Sequence, residues 1–273
     1  MGRTWALTAT ALFLMPFQLL AAGPLTVKGS DTMVILAQRW AEAFMRKERS
    51  ARIQVTGGGT GTGLAALQNG TTDIAMASRA IKEDERHRVR VQRRQEVNEV
   101  AVAKDGVAFY VREGNPVTAL RPDQLRSVYQ GDVTNWRELG GRDGTIVLYS
   151  RESSSGTYLF VKEKLLGGED FAPAAQTLPG TAAVVNAVAQ ETHGIGYGGA
   201  AYAKGVRELK IKAGGAEVAP SLEAVKSGQY PLSRDLYFYT RGTPSAEVQA
   251  FMRFCLSDEG QRLAQSVGFY PVR

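Results

Sequence analysis

The residues best suited to chemistry crowd into one stretch, Ser150-Arg151-Glu152-Ser153-Ser154-Ser155-Gly156-Thr157-Tyr158-Leu159-Phe160, where small hydroxyls stand beside a fixed positive charge. Gly141-Arg142-Asp143-Gly144 and Thr145-Ile146-Val147-Leu148-Tyr149, just before it, read as a turn and then a short strand, because β-branched and aromatic residues follow turn formers. Thr157 to Leu166 reads as a helix. The hydroxyls therefore fall where a strand hands over to a helix N-terminus. There the first backbone N–H groups lack intrahelical partners and the helix dipole is positive, which suits an anion. One Ser or Thr alone would be an ordinary N-cap. Four hydroxyls, with a glycine that lets a group approach the backbone, exceed what a cap requires.

Two further junctions have the same form. Gly29, Ser30, Asp31 and Thr32 precede a helix starting near Val34, and the glycine loop Gly57 to Gly63 precedes Leu64. Each follows a strand and enters a helix, the place where ligands bind in open α/β sheets. The glycine loop has no lysine, and no acidic residue follows at the spacing a ribose hydroxyl needs, so a nucleotide is disfavoured. A small tetrahedral anion fits better, caged by N–H groups and hydroxyls from three helix starts, with Arg151 as a bidentate cation. Two histidines and one cysteine cannot build a typical zinc cluster, so no metal or cofactor is expected. A hydrolase using one of Ser153 to Ser155 as nucleophile would need a base or metal that the sequence does not show. His193 stands in no serine–histidine–carboxylate order, and no catalytic residue is assigned.

These junctions need a framework, and the chain supplies alternating strand-like and helix-like segments. "LTVKGS" is a strand, "TMVILAQRWAEAFMRKE" a helix by its apolar spacing, "RIQVT" and "TDIAMAS" strands, and "GVAFYVREGNP" a strand ending at Pro116. "RPDQLRSVYQGD" is a helix with Pro122 near its start, "GIGYGGAAYA" a loosened strand and turn, and "DLYFYTRG" a strand. One closing helix is expected from about Ser245 to Val267. The alternation argues for an α/β fold with largely parallel sheets. Residues 1–23, with Arg3, an apolar run to Leu20 and then Ala21, Ala22 and Gly23, read as a secretory signal peptide. No cysteine follows for a lipid anchor, so a soluble exported chain is expected. The formal net charge is +6, much of it between Arg79 and Arg94. That segment has no aromatic for base stacking and is interspersed with acids, so a solvated helix face is expected and no nucleic-acid partner. Cys255 lies among apolar residues at helical spacing and reads as a buried small hydrophobe.

Taken together, "VKGSDT", "TGGGTGTGLAALQNGTTDIAMASR", "KDGVAFYV", "VYQGDVTNW", "SRESSSGTYLF", "GIGY" and "YPLSRDLYFY" resemble the periplasmic phosphate-binding proteins of bacterial high-affinity phosphate ABC transporters, from about Leu25 to the end. The resemblance implies an α/β, two-lobed periplasmic binding protein of the second class with two crossovers, near Asp105 to Val111 and Tyr230 to Tyr239. It divides the chain into residues 24–106 plus 232–273 and residues 107–231. It also implies inorganic phosphate in the cleft, an inner-membrane ABC permease as partner, a monomer, and no enzymatic activity. The implied ligand residues are Ser30, Asp31, Thr32, Thr60, Ser78, Arg151, Ser155, Gly156 and Thr157. Some members carry aspartate where Ser78 aligns, and that carboxylate accepts the proton of hydrogen phosphate. Here Asp31 and Asp105 are the candidate acceptors, since a carboxylate accepts from HPO4 but repels fully ionised sulfate. Another oxyanion, sulfate or molybdate, is the alternative ligand. An exported phosphatase is the alternative activity. Trp136, Tyr197 and Tyr202 are expected to pack, Arg79 to serve the cleft's field or an ion pair, and His193 to border the hinge.

Overall fold

The computed structural model describes residues 23–272; the expected leader, Gly23 apart, lies outside them. The chain opens with β1 (Leu25–Gly29), a 3-10 turn (Asp31–Met33) running into α1 (Val34–Lys47), β2 (Ile53–Thr56), α2 (Thr60–Asn69), β3 (Ile74–Ala77) and α3 (Glu83–Arg93). The long strand β4 (Val97–Val111) leads to β5 (Ala119–Leu120), α4 (Pro122–Gln130), β6 (Val147–Arg151), α5 (Gly156–Lys164), β7 (Gln176–Leu178) and α6 (Gly180–Gln190). Then come β8 (Gly194–Gly199), β9 (Arg207–Ala213), β10 (Ala216–Val218) and α7 (Leu222–Lys226). The chain returns through β11 (Ser233–Arg241) to α8 (Ala246–Leu256) and α9 (Asp258–Ser266).

β4 organises the sheet. It is 15 residues long, roughly 50 Å at about 3.3 Å per residue. Its residues up to Gly106 pair with β11, and Val107–Val111 pair with β8 on one side and, from Phe109, with β9 on the other. The order is β2-β1-β3-β11-β4-β8-β6-β7. The pairings are mixed, not largely parallel as the alternation suggested. β4 and β11 carry the chain out and back between the halves and so run antiparallel, and β11–β3, β4–β8 and β4–β9 are antiparallel with them.

Apolar burial separates into two main clusters. One joins Val27, Leu36, Trp40, Phe44, Met76, Val102, Phe238 and Phe251. The other joins Val107, Phe109, Tyr129, Trp136, Val161, Ile195, Tyr197 and Leu232. Smaller clusters on the opposite sheet faces bury Leu64 and Leu67 of α2 and Val184 and Val188 of α6, so both halves carry helices on two faces. α1 shows the local cause, placing Leu36, Ala37, Trp40, Ala41 and Phe44 on one stripe. Cys255 is fully buried, and burial pushes its thiol well up. α3 buries only Val89 and is otherwise the solvated face its composition implied. The expected closing helix is two helices. Ser257, extended at φ −70 and ψ 163, ends α8 and caps α9 by accepting from the Gly260 N–H at 3.2 Å. His193 lies beside Trp136 and Gly144, not at the crossing strands.

Beside the crossing strands, α1 and residues 266–270 face Ala200–Lys204, Glu208 and Pro220 across a groove of about 790 Å3. Glu208 pairs in register with Tyr110, and its Oε1 is buried without a hydrogen-bond partner among the described residues. Burial, and then the charge of Asp105, push its carboxyl up to about 7. Folded Glu208 thus keeps its proton where the unfolded chain, with an ordinary carboxyl near 4.5, has lost it. Stability should fall as pH rises between those values and level off above them. Chemical denaturation without ligand should therefore find Glu208→Gln close to the parent at pH 4.5 and more stable than it at pH 8; a difference that ignores pH would refute the assignment.

Candidate anion-binding site

Four helix starts converge where the two apolar clusters face each other. The 3-10 turn into α1 brings Ser30, Asp31 and Thr32; α2 brings Thr60, which is its first residue rather than part of a loop; β6 and α5 bring Arg151, Ser155, Gly156 and Thr157; α6 brings Thr181. Ser78 follows β3. Ser30, Thr32, Thr60, Ser78, Arg151, Ser155, Thr157 and Thr181 are all buried. Two hydroxyl pairs form: Thr32 Oγ1 lies 3.0 Å from Thr157 Oγ1, and Thr60 Oγ1 lies 3.4 Å from Ser78 Oγ. Gly156 faces the second pair so closely that a Cβ would collide with Thr60 and come within 2.6 Å of Ser78 Oγ.

The caps explain what these junctions offer. Ser155 is the N-cap of α5, its Oγ accepting from the N–H groups of Thr157 and Tyr158, both at 3.2 Å. Its hydroxyl proton stays free to donate. The starts at Ser30, Gly59 and Pro179 have no side-chain cap, which leaves backbone donors for an anion to satisfy. Gly59 sits at φ 92 where the Ser154 carbonyl also leaves no room for a side chain, and Gly61 N–H donates to that carbonyl at 2.9 Å.

Arg151 ends β6, and only 1% of its side chain is exposed. Nη2 donates to Asp31 Oδ2 at 2.8 Å and Nη1 to Thr181 Oγ1 at 2.9 Å; Nε and Nη2 reach Glu152 at 3.2 and 3.3 Å. Four of its five N–H groups are thereby engaged. Burial pushes the Glu152 carboxyl up, but its bonds to Arg151 outweigh this and hold it below its ordinary range. Asp31 is fixed further: Oδ1 accepts from Gly58 N–H at 2.8 Å, and its carbonyl accepts from the Tyr202 hydroxyl at 2.7 Å. Tyr202 thus positions the site besides packing, whereas Trp136 and Tyr197 are buried in the second cluster. Arg79 is held by Glu85 at 2.7 and 2.8 Å.

Asp105 reaches the site through a residue the sequence reading did not single out. Arg234 lies beside it in the β4–β11 register and donates to its Oδ2 from Nε at 3.1 Å and Nη2 at 2.8 Å. Nη2 also approaches Thr157 Oγ1 at 3.0 Å and Thr32 Oγ1 at 3.4 Å. Burial pushes the Asp105 carboxyl up, and Arg234 pulls it back. Two guanidinium groups thus meet three carboxylates, so formal charge alone does not draw an anion in. The attraction available to an anion here is that of helix-start N–H groups and hydroxyls. Among the described residues no group of His, Cys, Asp and Glu could hold a metal.

Residues 18–259 match the family model described as PBP superfamily domain. With paired sheets, helices on both faces and a site between them, the chain is a two-lobed periplasmic binding protein of α/β fold. It is 32% identical to phosphate-binding protein PstS of Pseudomonas aeruginosa, over 92% of this chain and 84% of that protein. It is 31% identical to PstS of Bacillus subtilis, over 92% and 82%. A putative phosphate ABC transporter substrate-binding protein from Clostridium perfringens, solved with bound phosphate, superposes with a TM-score of 0.84 at 28% identity, over 92% of this chain and all of that one. An ABC-type phosphate transport receptor from Vibrio cholerae gives 0.72 at 26%, over 90% and 99%. The chain belongs to the PstS family of phosphate-binding proteins, a family of transport binding proteins and not of enzymes.

Removing one partner of the Asp105–Arg234 pair strands a buried charge. Asp105→Ala should lower the unfolding free energy by about 3–5 kcal/mol, whereas Asp105→Asn with Arg234→Met should recover most of it. Denaturant titration compares the two, and equal losses would contradict the pairing.

Proposed function

We propose that the protein binds inorganic phosphate between its two lobes and delivers it to an ABC permease for uptake. The lobes are residues 24–106 plus 232–273 and residues 107–231. The observation that carries this is the convergence, from both sides of the seam, of three helix starts without side-chain caps and buried hydroxyls around Gly156. A tetrahedral oxyanion is the simplest group whose oxygens satisfy donors from several directions at once. Ser30, Thr32, Thr60, Ser78, Arg151, Ser155, Gly156 and Thr157 are assigned to it. Asp31 is assigned as acceptor of the phosphate proton, since two of its four lone-pair positions remain after Arg151 and Gly58. Asp105 is assigned an indirect part through Arg234. The Gly61–Ser154 bond across the seam supports hinge closure on the ligand. Export by residues 1–23 to the periplasm, delivery at the inner membrane and a monomeric state complete the reading. Among the described residues, no helix is long and apolar enough to cross a membrane.

Calorimetric titration of protein stripped of anion by unfolding and refolding should show tight phosphate binding and exclusion of sulfate. Sulfate bound as tightly would replace the ligand while leaving the fold assignment intact. In the same titration Asp31→Asn should narrow the gap between the two anions. Gly156→Ala should abolish binding, because its methyl would collide with Thr60 and Ser78 across the seam; retained affinity would move the site elsewhere.

A further inference from the structure

Arg234 has more to do than pair with Asp105. Its side chain is 4% exposed, its Nη1 is buried without a hydrogen-bond partner among the described residues, and Phe160 covers it with a ring centroid 5.3 Å from Cζ. Of the two hydrogens on Nη2, one goes to Asp105 and the other is directed at Thr157 Oγ1, with Thr32 Oγ1 slightly farther. A guanidinium only donates, so it fills an acceptor position on the threonine pair and accepts nothing back. The two hydroxyls lie 3.0 Å apart and own two protons. One proton lies between the oxygens. The other has no acceptor within the trio and turns outward, whichever threonine donates to its neighbour. The positive charge behind the pair further opposes any outside group that would donate to it.

We propose that Arg234 is a positioning residue that orients the Thr32–Thr157 pair, so that the pair presents its free hydroxyl proton to an unprotonated anion oxygen. This rests on the phosphate reading and adds a division of labour to it. The threonine corner donates to a bare oxygen, and the phosphate hydroxyl has its assigned acceptor, Asp31, in a different part of the cradle. The trio draws on the turn into α1, on α5 and on β11, hence on both lobes, so the donor corner is complete only when the lobes are together.

Equilibrium dialysis against labelled phosphate tests this in a cycle. The neutral pair Asp105→Asn with Arg234→Met avoids a stranded charge, and its thermal unfolding without phosphate checks that it folds. It should weaken phosphate binding roughly tenfold or more, the usual worth of a hydrogen bond with a charged partner. In a Thr157→Val background the same double change should cost little more, because its target hydroxyl is gone. Arg234→Lys, which keeps a charge and a donor, should lie between the parent and the neutral pair. Equal fold-losses in the two backgrounds would mean that Arg234 serves only the β4–β11 join, and the proposal would fall. Absence of phosphate binding by the parent protein would overturn the phosphate reading itself, and this inference with it.

Discussion

Two guanidinium groups buried at one seam constrain the rest of the molecule. A charge taken out of water is tolerable only when opposite charge and hydrogen-bond acceptors surround it. Arg151 meets this with Asp31, Glu152 and Thr181, and Arg234 with Asp105 and the threonine pair. Their partners come from distant parts of the chain, so satisfying the arginines brings three loops and both crossing strands to one place. Tyr202 and Gly58 then hold Asp31, and the requirement passes outward into the packing.

The second constraint is close approach. Gly59 and Gly156 stand where the lobes touch, and each faces atoms that leave no space for a side chain. Helix termini that would elsewhere be closed by a serine or aspartate are left uncapped at Ser30, Gly59 and Pro179, all aimed at the same volume. A terminus without an internal partner costs stability unless something supplies the acceptor.

Local signals in the sequence were informative and distant pairings were not. Hydroxyls and glycines clustered after strands marked three of the four helix starts, because cap chemistry is written within a few residues. Asp31 stood out in the sequence as a candidate acceptor. Its bond to Arg151 spans 120 positions and did not. Arg234 gave no sign, since one arginine at the start of an alternating strand says nothing of an aspartate 129 positions away. Thr181 was missed for the same reason, and no helix start was expected at Pro179 and Gly180. The antiparallel pairings escaped because helix–strand alternation does not reveal which strands carry the chain back. The break at Ser257 was missed although Ser257-Asp258-Glu259 supplies a serine cap and acids for the first turn of α9.

The sheet order has a consequence for how the molecule is made. β11 lies between β3 and β4, in the interior of the first lobe's sheet. That half of the sheet begins with the earliest described residues, yet one of its interior strands, β11, and the helices α8 and α9 belong to the last forty or so. The elements from β5 to α7 form one uninterrupted segment between β4 and β11 and are complete in sequence before β11 arrives. As the chain emerges, β1, β2 and β3 must wait with an unpaired edge at β3 while that segment is finished. The part of the protein synthesised first is therefore the last that can close its core, and until it does, the edge of β3 is the surface most in need of protection from other chains.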